Sequence, residues 1–64
     1  MKISELNELK GQNVFFKNPF GQIQEVTVEY TLLSARIVRY SFRGQYLTGF
    51  AGEFFKTREE AENA

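Results

Sequence analysis

The sequence predicts a mostly β, α+β domain: a five-stranded antiparallel meander, folded as a curved sheet or a small SH3-like barrel, with a short helix at each end. Three observations carry this. Val26, Val28, Tyr30 and Leu32 alternate with Glu25, Thr27, Glu29 and Thr31, the period-two pattern of a half-buried strand. Turn residues punctuate the chain at short intervals, at Pro19-Phe20-Gly21, Gly44, Gly49 and Gly52. The whole chain has 64 residues, enough for one small domain that buries only about 60% of the surface its unfolded form exposes.

Each element follows from local signals. Ile3, Leu6 and Leu9, with Ser4 as candidate N-cap and Gly11 just past the last apolar residue, predict one to two turns of amphipathic helix. Asn13 to Lys17 (NVFFK) reads as the first strand. The loop KNPFGQ joins it to the strand at residues 26 to 32, because Pro19 presets φ and Gly21 tolerates a left-handed backbone. Ile23 falls out of phase with Val26, which predicts a bulge near Gln24. Residues 36 to 42 form the third strand, after a connection through Leu33-Ser34-Ala35 that lacks the usual turn residues. Arg43-Gly44-Gln45 then turns the chain tightly into a fourth strand, Tyr46 to Phe50. Gly49 and Gly52 mark a bend into a fifth, Glu53 to Lys56. Thr57-Arg58-Glu59-Glu60 fits the capping box T-x-x-E and opens the C-terminal helix.

On this reading one face of the sheet carries the core: Val26, Val28, Tyr30, Val38, Tyr40, Phe42, Tyr46 and Phe50. Ile37, Leu47 and one of Phe15 or Phe16 project from the other. The N-terminal helix is expected to cover them, and if it does not, that second face is a partner surface. The chain has neither disulfide nor metal to brace so small a core, so its seven Phe and three Tyr must do so, each burying about 150–250 Å².

The composition excludes most catalysis. Cys, His, Asp and Trp are absent, which removes thiolate and imidazole nucleophiles, zinc and iron–sulfur ligation, and any proton switch near neutral pH. Every acid is a Glu. Glu25 and Glu29 lie about 13 Å apart along a strand, too far to act as a carboxylate pair. No phosphate-binding loop, dinucleotide turn or nucleophile elbow occurs. No enzyme activity, catalytic residue, cofactor or metal is therefore expected. The longest apolar runs fall far short of a membrane span, and MKISELNELKG lacks the apolar core of a secretory signal, so the sequence reads as that of a soluble cytoplasmic protein.

Eight basic and eight acidic residues give a formal net charge of zero. The balance conceals an uneven distribution: residues 36 to 50 hold Arg36, Arg39 and Arg43, four aromatics and no acid, between two acidic stretches. Arginine interleaved with aromatic residues suits nucleic acid, the guanidinium pairing with phosphate and the rings stacking on bases. Strand parity opposes this, since Tyr40 and Phe42 point away from Arg39 and Arg43. RGQYLTGF departs from the RNA-recognition signature at Gln45 and Tyr46, and Gly49-Phe50-Ala51-Gly52 lies between strands, not between the helices that a nucleic-acid-clamping GXXG loop joins. The compact size and the ending FFKTREEAENA resemble small proteins of bacteria and their phages, a likeness without a diagnostic motif from which no residue role follows. The leading expectation is a non-enzymatic protein-binding module, as a homodimer or with another protein, with Ile37, Leu47, Arg39, Arg43 and Tyr46 as candidate partner-binding residues. The alternative is a nucleic-acid-binding module built on the hairpin at residues 36 to 50.

Overall fold

Turn chemistry sets the strand boundaries. In the computed structural model, which describes residues 1–64, α1 (Ile3–Glu8) leads into four consecutive strands: β1 (Asn13–Lys17), β2 (Ile23–Leu32), β3 (Ile37–Phe42) and β4 (Gln45–Phe50). A 3₁₀ turn (Ala51–Glu53), β5 (Phe54–Phe55) and α2 (Arg58–Glu62) complete the chain. The five strands make one antiparallel sheet in the order β4-β3-β2-β1-β5. The meander is therefore as predicted for β1 to β4. The fifth strand crosses back to the far edge and pairs with β1 through Phe15↔Phe55 and Phe16↔Phe54. It is shorter than expected, because Glu53 belongs to the 3₁₀ turn and Lys56 to the following bend.

In the β1–β2 loop Asn18 Oδ1 accepts from the backbone N–H groups of Phe20 and Gln22, both at 2.9 Å, while Gly21 sits at φ 86°. The predicted hairpin thus has a side-chain lock as well as its glycine. Arg43 and Gly44 both have positive φ (51° and 79°), the two-residue hairpin turn whose twist matches its strands. The weakly marked β2–β3 connection closes by Arg36 N–H donating to the Leu33 carbonyl at 3.3 Å, with Arg36 itself left-handed at φ 56°.

The helix caps differ in detail from expectation. Lys2, not Ser4, is the N-cap of α1; its backbone N–H donates to Glu5 Oε1 at 3.3 Å. At α2 the Thr57 hydroxyl accepts from Glu60 N–H at 3.1 Å as predicted, but it also donates to Glu60 Oε1, so the carboxylate meets the hydroxyl and not the Thr57 backbone.

Two features redirect side chains. The β1–β2 ladder runs without interruption from Asn13↔Thr27 to Lys17↔Ile23, so no bulge lies near Gln24; Ile23 simply faces outward beside Lys17. The irregularity falls instead between Val28, opposite Tyr40, and Tyr30, opposite Arg39. Glu29 is the extra residue. Beyond it every β2 side chain changes face: Tyr30 and Leu32 turn outward, and the Thr31 hydroxyl turns inward to donate to Asn7 Oδ1 of α1 at 2.6 Å.

The core lies on the concave side and is built from Val14, Phe16, Val26, Val28, Val38, Tyr40, Ala51, Phe54 and, from α1, Leu6. Ile3, Leu9 and Phe42 pack against it half-buried. Within it the rings of Phe16, Tyr40 and Phe54 are mutually in contact, with centroids 4.9, 5.2 and 5.5 Å apart. Such pairs contribute about 0.5–1.5 kcal/mol each beyond their burial. The buried backbone of Gly49, in β4, rests on this cluster: a Cβ there would lie 2.9 Å from Phe16 Cε1 and 3.2 Å from Phe54 Cε2. The sheet is therefore curled enough for β4 to meet rings from β1 and β5, although no ladder joins β4 to β5.

Replacing Gly49 with Ala is expected to destabilise the fold by about 1–3 kcal/mol through overpacking against Phe16 and Phe54, measured as a lowered urea midpoint. Burial, and secondarily the nearby Glu53 carboxylate, raises the Tyr40 phenol above its ordinary value. Above about pH 10 the unfolded chain ionises this phenol first, so stability falls as pH rises through the interval up to the folded value, by at most about 1.4 kcal/mol per pH unit. Below that range Tyr40 adds no pH dependence. Tyr40→Phe should remove this alkaline loss, seen as a flatter urea midpoint against pH.

Candidate functional site

The register of the β3–β4 hairpin decides what the outer face presents. With a two-residue turn at Arg43-Gly44, Phe42 pairs with Gln45, Tyr40 with Leu47 and Val38 with Gly49. Paired residues share a face, so Gln45, Leu47 and Gly49 lie on the core side, while Tyr46, Thr48 and Phe50 lie outside. This corrects the expected core. Tyr46 is 62% exposed, Phe50 63% and Tyr30 49%, whereas Val26, Val28, Val38 and Tyr40 are buried and Phe42 half-buried as expected. Tyr30 left the core through the Glu29 bulge; Tyr46 and Phe50 were never in it, because the tight turn gives them the parity of Ser41 and Ile37.

The candidate residues separate accordingly. Ile37, Arg39 and Tyr46 come together on the outer face. Leu47 does not join them: it sits on the core side, opposite Tyr40, at the margin of the sheet. Arg43 lies in the turn with its guanidinium 5.1 Å from the centre of the Phe42 ring. Arg36 occupies the turn at the opposite end of β3. The three arginines are thus spread over a strand's length, about 23 Å at standard rise, and do not form one basic cluster.

On the outer face the ladders align Phe50 with Ile37 and Leu32 in one row, and Thr48 with Arg39 and Tyr30 in the next. Between these rows lies a groove of about 260 Å³, lined by Tyr30, Leu32, Ile37, Arg39 and Phe50 among others. Leu33, in the adjoining turn, is 53% exposed and extends the apolar area. The two helices leave it open. α1 packs its Leu6 into the concave core, so it does not cover the second face as expected. α2 lies against β1 and β5, where Arg58 stacks on the outward ring of Phe15 at 5.4 Å and Lys17 Nζ donates to the Ala64 carbonyl. Its buried Ala61 anchors it there.

The polar groups of the outer face are bonded to one another across strands. Glu29 Oε2 accepts from the Ser41 hydroxyl at 2.7 Å and Glu25 Oε2 from Asn13 Nδ2 at 3.2 Å, so both outward carboxylates are engaged across strands. No three carboxylates converge as metal ligands would. No helix is long and apolar enough to cross a membrane.

Tyr30, Leu32, Thr48 and Phe50 were missed as surface residues. For the β4 members the signal was present, since counting Arg43-Gly44 as a two-residue turn fixes their parity. For Tyr30 and Leu32 none was, because EVTVEYTL alternates without a break through the bulge.

Phe50→Ser and Leu32→Ser should change stability by no more than about 0.5 kcal/mol, as surface substitutions do, while Val38→Ser, at a fully buried position, should abolish the cooperative thermal transition. No protein-family model, no curated protein and no solved structure matches the chain.

Proposed function

We propose that the chain is a non-enzymatic protein-binding module of the cytoplasm that docks its partner on the outer face of β2, β3 and β4. The observation that carries this reading is the uncovered apolar row Leu32–Ile37–Phe50, with Tyr30 beside it, on a domain too small to leave such area exposed without cost. Its chemistry is that of a protein interface: aromatic and aliphatic anchors around a groove, one arginine within it, and a polar rim supplied by Thr48, Ser41 and Glu29. We read the curled sheet as SH3-like, a reading supported by the contact of the β4 backbone with rings from β1 and β5.

One observation favours the nucleic-acid alternative. Arg39 lies between Tyr30 and Thr48, with Tyr46 and Phe50 exposed on the same face, so a guanidinium and free rings do stand together. Zero net charge and the scattering of Arg36 and Arg43 weigh against it.

Capture from the native host's lysate, with and without nuclease, separates the two. Protein docking predicts a defined protein recovered in both arms, retained by the Arg36→Glu/Arg43→Glu variant, whose arginines lie outside the groove, and lost by Leu32→Asp. Recovery only without nuclease would overturn it, as would binding lost on charge reversal with a log–log salt slope of about −3, the release expected for three phosphate contacts.

A further inference from the structure

The edge strand β4 carries a pattern that matches itself. The two-residue turn makes Phe42/Gln45 a hydrogen-bonded pair, and with it Tyr40/Leu47 and Val38/Gly49, so the backbone groups of Gln45, Leu47 and Gly49 face β3. Those of Tyr46, Thr48 and Phe50 face away from the sheet. Two contacts agree with this alternation: Ala51 N–H donates to the Arg36 carbonyl at 3.0 Å, toward β3, whereas Phe50 N–H donates to Glu53 Oε1 at 2.8 Å, away from it. The remaining outward groups have no partner strand, because β4 ends the sheet. Natural edges are usually guarded by charge, proline, a bulge or short length. β5, the other edge, is guarded by its two-residue length and by α2. β4 has six residues, QYLTGF, with no charge, no proline and an unbroken ladder behind it.

We propose that β4 pairs antiparallel with β4 of a second copy of this chain, about a two-fold axis at Thr48, joining two sheets into one. Only registers that match outward-facing residues are allowed, and charge selects among them. Pairing Thr48 with Thr48 sets Tyr46 against Phe50 of the other copy, twice, giving two aromatic cross-strand pairs on the outer face. It brings the chain end that carries Arg43 beside the end that carries Glu53, also twice, so the ends are complementary where the centre is neutral. Shifting by two residues in either direction loses both aromatic pairings and both charge matches, since Tyr46 and Phe50 then face Thr48 or a glycine. The reciprocal Thr48 backbone bonds and the Tyr46 N–H to Phe50 carbonyl bonds pair the open edge, while Glu53 keeps the Phe50 N–H and the Tyr46 carbonyl stays in solvent. The occupant follows from the strand's self-complementarity, and the pair extends the outer face across the junction. The inference rests on the protein-docking reading in naming a protein partner, but it uses the edge and not the groove, so the two fail separately.

The absence of cysteine makes the test direct. A hydrogen-bonded antiparallel pair has Cα atoms about 5.5 Å apart, inside the roughly 4.4–6.8 Å that a disulfide spans. Thr48→Cys should form a covalent dimer under mild oxidation, and Tyr46→Cys mixed with Phe50→Cys should cross-link to each other in preference to themselves. Sedimentation equilibrium of the unmodified chain should show mass rising to twice the monomer's with concentration, with hydrogen exchange at the Thr48 amide slowing in parallel. Thr48→Lys, which puts two like charges at the axis, should hold the monomer mass with an unchanged thermal transition. A chain that stays monomeric with a fast-exchanging Thr48 amide overturns the proposal, as does a dimer that Thr48→Lys leaves intact or that cross-links in another register. Leu32→Asp reports on the groove in the same measurements: loss of a lysate partner there with the dimer retained separates the docking face from the edge.

Discussion

The contact on which the fold turns is that of three aromatic rings with one glycine. Phe16, Tyr40 and Phe54 come from β1, β3 and β5, and Gly49 of β4 lies on them with no room for a methyl group. An open sheet of five short strands has one apolar face too many for so short a chain to cover. Curling lets that face cover itself, so that large rings fill the concavity and one small helix closes it with Leu6. The constraint is steric and mutual: the rings need the bare backbone of β4, and β4 needs the rings to hold it over the core. Everything that follows, including the placement of β5 beside β1, serves to deliver these four residues to one place.

The second determinant is one extra residue. Glu29 interrupts the β2–β3 ladder, and the cost of a locally unpaired strand is set against two gains. Thr31 reaches Asn7 and ties α1 to the sheet, and Glu29 itself receives the Ser41 hydroxyl. The consequence for function is larger than either bond. Tyr30 and Leu32, which unbroken alternation would bury, stand on the outer face beside Ile37 and Phe50. An apolar surface is thereby made from residues whose pattern looks like that of a core.

That difference marks how far local reasoning reaches. Five strands, two helices, the Thr57 cap and both main hairpin turns were legible because each depends on residues within a few positions of one another. Val26, Val28, Val38 and Tyr40 were legible as core for the same reason, since alternation within one strand is local. Tyr46 and Phe50 were misplaced because their face depends on the number of residues in the turn before them. Leu47 was misplaced by the same slip of one, which exchanges every side chain of a strand between faces. Of the candidate residues, Ile37, Arg39 and Tyr46 share the outer face, while Leu47 lies on the core side and Arg43 in the turn.

By itself the sequence determined the element types, the turns, the lack of imidazole and thiol chemistry, and the need for aromatic packing in a small core, because these follow from composition and from short-range backbone preferences. Only the tertiary structure decided which aromatics are buried. Three rings of seven Phe and three Tyr form the buried cluster on Gly49, and Tyr30, Tyr46 and Phe50 stand in solvent. The reason is physical: burial is set by register between strands and by the curl of the sheet, both properties of contacts between distant parts of the chain, and no single strand's pattern contains them.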